Sequence, residues 1–207
     1  MEALRTPLID WAVAAHALPG EERSGDTHVV KAWGNKFLLA VIDGLGHGEH
    51  AANAAQIAAD TLISHASDSE DVVSLMNQCH KSLVKTRGAV LSLALFDTVN
   101  DTITWLGVGN VDGLLLRADR HIKPSSESLL QRGGVVGYQM PSLRPSTTHI
   151  RRGDILILST DGIRGGFEKE VNPEEAPQQI ADMIIMNYNR KTDDALVMVA
   201  RYTGGLS

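Results

Sequence analysis

Short apolar runs separated by polar or glycine-containing turns recur along most of the chain. The run at residues 37–42 is almost wholly apolar, which is typical of a strand that is covered on both faces. The other runs of this kind predict strands over residues 8–17, 27–33, 89–98, 102–108, 111–118, 154–160 and 195–202.

Three segments instead repeat their apolar positions every three or four residues, which predicts helices. Two of them cover residues 49–65 and 70–86, and a third covers 173–189 with its start left open between Pro173 and Pro177. The second helix places Cys79 within its apolar stripe, so we interpret this thiol as a packing residue and not a nucleophile.

The order of these elements is strands, two helices, several consecutive strands, then one helix and one strand. This order lacks strict β-α-β alternation and therefore predicts an α+β domain in layers. Asn100-Asp101 and Gly109-Asn110 are read as hairpin turns, and residues 119–145 as a long loop. No repeat or linker divides the sequence, so residues 1–207 are expected to form a single domain.

Composition narrows the classes of function. Of 207 residues, 43% are hydrophobic and 21% charged, as in globular proteins, and the net charge of −6 with no basic cluster argues against nucleic acid as a partner. No apolar run is long enough for a membrane span and no secretion signal is evident, so no membrane association is expected. A single cysteine excludes an internal disulfide and favours a cytoplasmic location.

Acidic residues stand beside three of the predicted strands. Asp43-Gly44 and Asp161-Gly162 each follow an apolar run, and Asp193-Asp194 precedes another. One such step alone is ordinarily a turn. Three steps at strand ends, without paired Cys or His ligands, instead favour an oxygen-ligated site for Mg²⁺ or Mn²⁺. Two ions about 3.5–4 Å apart can activate a water for attack on phosphorus.

The glycine-rich segment after the first of these steps has a competing interpretation. It follows a strand and precedes a helix, as a dinucleotide-binding loop does, but that motif requires a third glycine where this chain has Glu49. Within the segment, His47 is either a general acid near the metals or a polar residue at a helix start.

The sequence resembles the PP2C-type metal-dependent protein phosphatases, in the bacterial branch that includes SpoIIE, RsbU and RsbX. Of these, the stand-alone RsbX-like form is expected to be the most similar, because a sequence of 207 residues is not expected to include a sensor or membrane domain as well. Five segments carry the resemblance in the family's order: residues 24–26 (SGD), 41–48 (VIDGLGHG), 133–137 (GGVVG), 152–162 (RGDILILSTDG) and 192–195 (TDDA).

This resemblance implies an α-β-β-α sandwich with two central antiparallel sheets flanked by helices. It also implies two Mn²⁺ or Mg²⁺ ions, bridged by Asp43 and bound in addition by Asp26, the Gly44 carbonyl, Asp161 and Asp193, with Asp194 as the alternative to Asp193. A metal-bridging hydroxide would then attack phosphoserine or phosphothreonine in line. The substrates implied are phosphorylated STAS-domain proteins of the stressosome.

The chain departs from the family pattern at several positions. Leu45 stands where the eukaryotic branch has a histidine, and Arg164-Gly165-Gly166 where many relatives have an acidic residue. A phosphate-binding arginine is not assigned, although Arg23 is near the first acidic motif. Two further hypotheses therefore stand beside the phosphatase: a non-catalytic binding module with the same fold, and a two-metal nuclease or nucleotide hydrolase.

Overall fold

The computed structural model describes residues 8–21, 23–69, 71–119 and 121–204 as two antiparallel sheets with three α-helices. The strands are β1 (Ile9–His16), β2 (Asp26–Trp33), β3 (Lys36–Gly44), β4 (Ala89–Asp97), β5 (Thr102–Val108), β6 (Asp112–Leu116), β7 (Ser126–Ser128), β8 (Ser146–His149), β9 (Ile155–Ser159) and β10 (Ala195–Tyr202). The helices are α1 (Glu49–His65), α2 (Val72–Leu83) and α3 (Pro177–Tyr188), and Phe167–Lys169 forms a single 3-10 turn.

The two sheets form the centre of the molecule and the helices cover their outer faces. One sheet has the order β1-β10-β9-β6-β7 and the other β2-β3-β4-β5-β8. Helices α1 and α2 pack on the second sheet, while α3 packs on β1 and β10 of the first. The predicted α-β-β-α sandwich is therefore confirmed, and none of the described helices is long and apolar enough to cross a membrane.

Apolar side chains fill each of the three layers between these elements. Leu39, Phe96 and Leu158 belong to the cluster between the sheets, where Phe96 also stacks on Tyr202. In the layer under α1 and α2, the contribution of α1 is mostly alanine (Ala54, Ala55, Ala58 and Ala59), which allows that helix to approach the sheet closely. This packing fixes where the strand ends lie, and the acidic residues stand at those ends.

The predicted hairpin at Gly109-Asn110 is wrong. Strand β5 belongs to one sheet and β6 to the other, so this segment is a crossover between layers. Gly109 has φ +96°, and a methyl group at this position would lie 2.2 Å from Val90 Cγ1. The glycine lets the chain turn sharply out of the sheet at a point where no side chain fits.

The region predicted as a loop contains more structure than the sequence indicates. Strand β7 lies within residues 119–145, and backbone pairs join Ala89 to Val136 and Val135 to Gln139. The third helix starts at Pro177, which settles the position left open between the two prolines. A proline in the first turn costs no hydrogen bond because those N–H groups have no partner within the helix.

Candidate active site

Four strand ends bring the predicted acidic residues to the same end of the sandwich. Asp26 opens β2 and stands opposite Asp43 of β3 in the antiparallel register. In the other sheet, Asp161 follows β9 and Asp193 precedes β10, and these two strands are paired neighbours. Residues far apart in sequence thus meet because each sheet pairs the strands that carry them.

The glycine of each Asp-Gly step is required by close backbone packing. A methyl group on Gly44 would lie 2.0 Å from the Ala51 carbonyl oxygen of α1, and one on Gly162 would lie 2.0 Å from the carbonyl oxygen of Asp194. Both distances are far below van der Waals contact. The glycines therefore let α1 and the segment before β10 approach the acidic residues.

A pocket of about 550 Å³ opens between these strand ends, and we call it the acidic pocket. Three of the five predicted ligands, Asp43, Asp161 and Asp193, line it, whereas Asp26 and Gly44 are not among its lining residues. The other lining residues are Leu18, Leu45, Gly46, His47, Val90, Gly109, Asn110, Gly133, Gly134 and Thr192.

Three of these carboxylates accept hydrogen bonds from protein groups. Thr160 Oγ1 donates to Asp26 Oδ2 at 2.7 Å, and Asn110 Nδ2 donates to Asp161 Oδ2 at 2.7 Å. The Asp194 N–H donates to Asp193 Oδ1 at 2.9 Å. The sequence reading missed Asn110 and Thr160, although Asn110 lies in the turn taken for a hairpin and Thr160 directly precedes Asp161.

Asp194 has a different environment from Asp193. It is 3% exposed, and its two oxygens accept hydrogen bonds from the Leu18 N–H at 2.8 Å and the Gly25 N–H at 2.6 Å. These bonds join the loop between β1 and β2 to the segment before β10. Asp193, by contrast, is exposed and lines the pocket.

The carboxylates repel one another. Burial and, to a smaller extent, the negative charges of nearby aspartates raise the pKa of Asp43 to about 8. Burial also raises the pKa of Asp26 to about 7, although the hydrogen bond from Thr160 opposes this shift. Burial and the charge of Asp193 also raise the pKa of Asp161. Groups of this kind retain a proton or require a cation to carry their charge.

The carboxylates of the acidic pocket are not already arranged as a metal-binding site. No group of three or more His, Cys, Asp or Glu side chains in the described parts of the chain is arranged to hold a metal ion. Each hydrogen bond to Asp26, Asp161 and Asp193 occupies one carboxylate oxygen and leaves the second oxygen for another ligand. Carboxylate oxygens are the ligands that hard divalent cations prefer, so the donor chemistry of the pocket fits Mg²⁺ or Mn²⁺.

His47 stands at the edge of the acidic pocket. Its side chain is 66% exposed, and its Nδ1 lies 2.6 Å from Glu21 Oε1. A carboxylate in contact with Nδ1 fixes the orientation of the imidazole ring and leaves Nε2 as the nitrogen that can transfer a proton. Leu45, an apolar residue, also lines the pocket.

Comparison with known proteins identifies the family. The family model described as Stage II sporulation protein E (SpoIIE) matches residues 34–203, most of the chain. The chain belongs to the SpoIIE family. It is a SpoIIE-type PP2C phosphatase domain, which confirms the resemblance drawn from the sequence motifs and the prediction of a protein phosphatase.

Individual relatives agree with this family membership. The chain is 27% identical over 178 residues to "Phosphoserine phosphatase RsbX" of Bacillus subtilis (strain 168), covering 84% of this chain and 85% of that protein. A structure from work on the bacterial stressosome as a modular system for controlling secondary messenger signalling is 30% identical, with a TM-score of 0.84 over 93% of this chain and 99% of that one.

A further solved structure has the same fold. It is RsbX in complex with magnesium, 24% identical, with a TM-score of 0.81 over 95% of this chain and 96% of that one. At this identity the comparison confirms the fold class.

Proposed function

We propose that this phosphatase hydrolyses phosphoserine or phosphothreonine in proteins with two divalent ions, Mg²⁺ or Mn²⁺, bound in the acidic pocket. The observation that carries the proposal is the convergence of Asp43, Asp161 and Asp193 on one pocket, with Asp26 opposite Asp43 in the β2–β3 register. Carboxylates that repel one another in this way are stabilised by cations.

The proposed ligands are Asp43 as the bridging residue, with Asp26, the Gly44 carbonyl, Asp161 and Asp193. Asp193 is preferred to Asp194 because both oxygens of Asp194 already accept backbone hydrogen bonds. When bound, the ions would activate a water for in-line attack on phosphorus and neutralise the charge of the phosphate.

The protein groups around the ligands have positioning roles in this proposal. Asn110 holds Asp161 and Thr160 holds Asp26, so each hydroxyl or amide fixes one oxygen and leaves the other for a cation. Such outer partners typically change metal affinity or activity by about 10–100-fold. Asn110→Ala should therefore weaken metal binding by a factor in this range.

The central test is hydrolysis of a phosphoserine protein by the wild type with Mn²⁺ or Mg²⁺, with and without EDTA, and by Asp43→Asn. Activity should require the ion and disappear in the variant. Asp60→Asn is the matched control, because Asp60 is an exposed aspartate on α1 that accepts a hydrogen bond from Gln56. Full activity in EDTA and in Asp43→Asn would refute the proposal.

His47, held by Glu21, is the proposed general acid for the departing hydroxyl group. Loss of a positioned acid typically lowers the rate by about 10²-fold or more. His47→Gln should do so on a phosphoserine protein and spare para-nitrophenyl phosphate, whose leaving group needs no proton. Equal losses on both substrates would rule out this role, and unchanged rates on both would leave His47 as a polar residue at the helix start.

The physiological substrates we propose are phosphorylated stressosome proteins of the STAS-domain type, and the chain would act on them in the cytoplasm. The name of the RsbX relative and the stressosome origin of a structural neighbour support this choice. Incubation with phosphorylated stressosome components tests it. Calorimetry with Mn²⁺, combined with the activity assay, distinguishes the phosphatase from a non-catalytic binding module. The binding module would bind ions or partners without hydrolysing the substrate.

A further inference from the structure

A second cavity lies beside the loop that follows Asp43 and borders the acidic pocket. The residues that line this second cavity are basic or neutral. The cavity measures about 350 Å³ and is lined by His50, Asn53, Lys85, Thr86 and Arg87, none of which is acidic. We call it the basic recess. In a chain with net charge −6, two cationic side chains and a histidine around one cavity form a local reversal of charge.

The basic recess and the acidic pocket share a wall. Gly46 lines the acidic pocket, and a methyl group built on it would lie 2.9 Å from Arg87 Nη1 of the basic recess. The Leu45 N–H also donates to the Gly88 carbonyl at 3.0 Å. The Arg87 guanidinium therefore lies against the loop that follows Asp43.

The loop that carries these cations is well supported. Thr86 Oγ1 donates to the Leu83 carbonyl at 2.8 Å and accepts from the Gly88 N–H at 3.0 Å. Lys85 and Arg87 project from this loop as exposed residues and make no hydrogen bond or ion pair with any residue that the structure describes. Their charges are available to a ligand.

Two exposed side chains, Val84 and Tyr138, stand on segments near the loop that carries Lys85 and Arg87. Val84 is 59% exposed and Tyr138 is 83% exposed. They belong to adjoining segments, because the Gly137 N–H donates to His80 Nδ1 at 2.9 Å and a methyl on Gly137 would lie 2.6 Å from Leu83 Cβ. Tyrosine and arginine are enriched at protein interfaces, so this surface favours a polypeptide ligand over a small anion.

We infer that the basic recess binds acidic side chains flanking the phosphorylated residue of the protein substrate, with Arg87 as a positioning residue at the boundary with the acidic pocket. This inference rests on the proposed function, which places the phosphorylated residue itself in the acidic pocket. Charge complementarity of this kind sets specificity and the rate of association.

The test uses fluorescein-labelled phosphoserine peptides with acidic or neutral flanking residues. Binding is measured by anisotropy in EDTA, and hydrolysis with Mn²⁺. The wild type should bind and hydrolyse the acidic peptide better than the neutral one. The double variant Lys85→Ala/Arg87→Ala should lose about tenfold in affinity and in kcat/KM for the acidic peptide alone, a change of about 1.4 kcal/mol.

Two controls distinguish the binding of acidic flanking residues from a general loss of catalytic activity. Arg152→Ala removes an exposed arginine that precedes β9, at the opposite end of that strand from Asp161, and should leave all values unchanged. Hydrolysis of para-nitrophenyl phosphate, which has no flanking residues, should also stay unchanged in the double variant. A parallel loss with para-nitrophenyl phosphate would overturn the inference.

Failure of the inference and failure of the proposed function give different results. If both peptides bind with equal affinity and are hydrolysed at equal rates, the proposed binding role of the basic recess is refuted, while the proposed phosphatase function stands. Preferential binding of the acidic peptide that depends on Lys85 and Arg87, without any hydrolysis in Mn²⁺, supports the recess and overturns the proposed function.

Discussion

At the scale of single residues, Asp43 combines two unfavourable conditions in the metal-free protein. Its carboxyl is half-buried, and it faces Asp26 across the β2–β3 pair. Burial and the neighbouring carboxylates raise its pKa to about 8. The charge of Asp43 therefore destabilises the folded, metal-free protein. Under the proposed function, bound cations would offset this cost.

Asp43→Asn should raise the melting temperature of the metal-free protein while lowering phosphatase activity by more than about 100-fold. The amide keeps the size of the side chain and removes its charge. A gain of about 1 kcal/mol corresponds to about 2–4 °C for a chain of this length. Thermal unfolding in EDTA at pH 8 measures the effect, and a lower melting temperature than the wild type would contradict it.

Cys79 is the opposite case, a residue whose burial makes it unreactive. Its side chain is fully buried under α1, its Sγ contacts the Ala58 carbonyl, and burial raises its pKa to about 12. The nucleophilic thiolate is therefore absent at neutral pH. A disulfide reagent should modify Cys79 only after denaturation, and rapid reaction of the folded protein would show that α2 opens.

At the scale of elements, α2 illustrates how far periodicity alone can predict structure. The helix predicted over residues 70–86 is observed at Val72–Leu83, and its apolar residues Val72, Leu75, Met76, Cys79 and Leu83 are all buried. Strands β7 and β8 were not predicted, because they are three and four residues long and mostly polar. Such strands depend on pairing with β6 and β5, which is a tertiary effect.

The start of α2 offers a prediction about capping. Asp71 accepts a hydrogen bond from the Ser74 N–H at 2.8 Å, which lowers the pKa of the aspartate. Asp71→Ala should destabilise the protein by about 1 kcal/mol at neutral pH. Asp68→Ala, an exposed aspartate in the turn before α2, is the control and should have little effect.

The pH dependence of this effect has a defined sign. A carboxylate with a lowered pKa contributes stability above its unfolded pKa of 3.8, and the contribution is lost as pH falls through the folded value. The difference between the wild type and Asp71→Ala should therefore shrink below about pH 4. A difference that stays constant down to pH 2 would show that the cap does not depend on the charge.

At the scale of the whole molecule, one buried ion cluster holds the end of the sandwich opposite the acidic pocket. Arg117 is 8% exposed and pairs with Asp154, which is 2% exposed, and with Glu127. It also donates to the carbonyl of His149, so the cluster connects β6, β7, β8 and the start of β9.

Arg117→Ala should destabilise the protein by about 3–5 kcal/mol, because it leaves the carboxylate of Asp154 buried without its cation. Denaturant unfolding measures the loss. Arg152→Ala, the exposed arginine two residues before Asp154, should change stability by less than about 0.5 kcal/mol. Equal effects of the two substitutions would show that the buried ion pair contributes no more to stability than an exposed arginine does.

The sequence also predicted the acidic site in part. Asp43 and Asp161 were recognisable because each ends an apolar run and precedes a glycine, features that are local. The proposed roles of Asn110 and Arg87 and the environment of Asp194 depend on which strands pair and which loops adjoin, and no local pattern carries that information. The proposed preference for Asp193 over Asp194 is supported by the backbone donors that occupy both oxygens of Asp194.

The central claim is that distant aspartates gather divalent ions in one pocket. Anomalous diffraction from a crystal soaked in Mn²⁺ tests it most directly. The account predicts two peaks between Asp43, Asp161 and Asp193, within about 2.0–2.5 Å of carboxylate oxygens. No peak in the acidic pocket, or manganese bound only elsewhere on the surface, would contradict it.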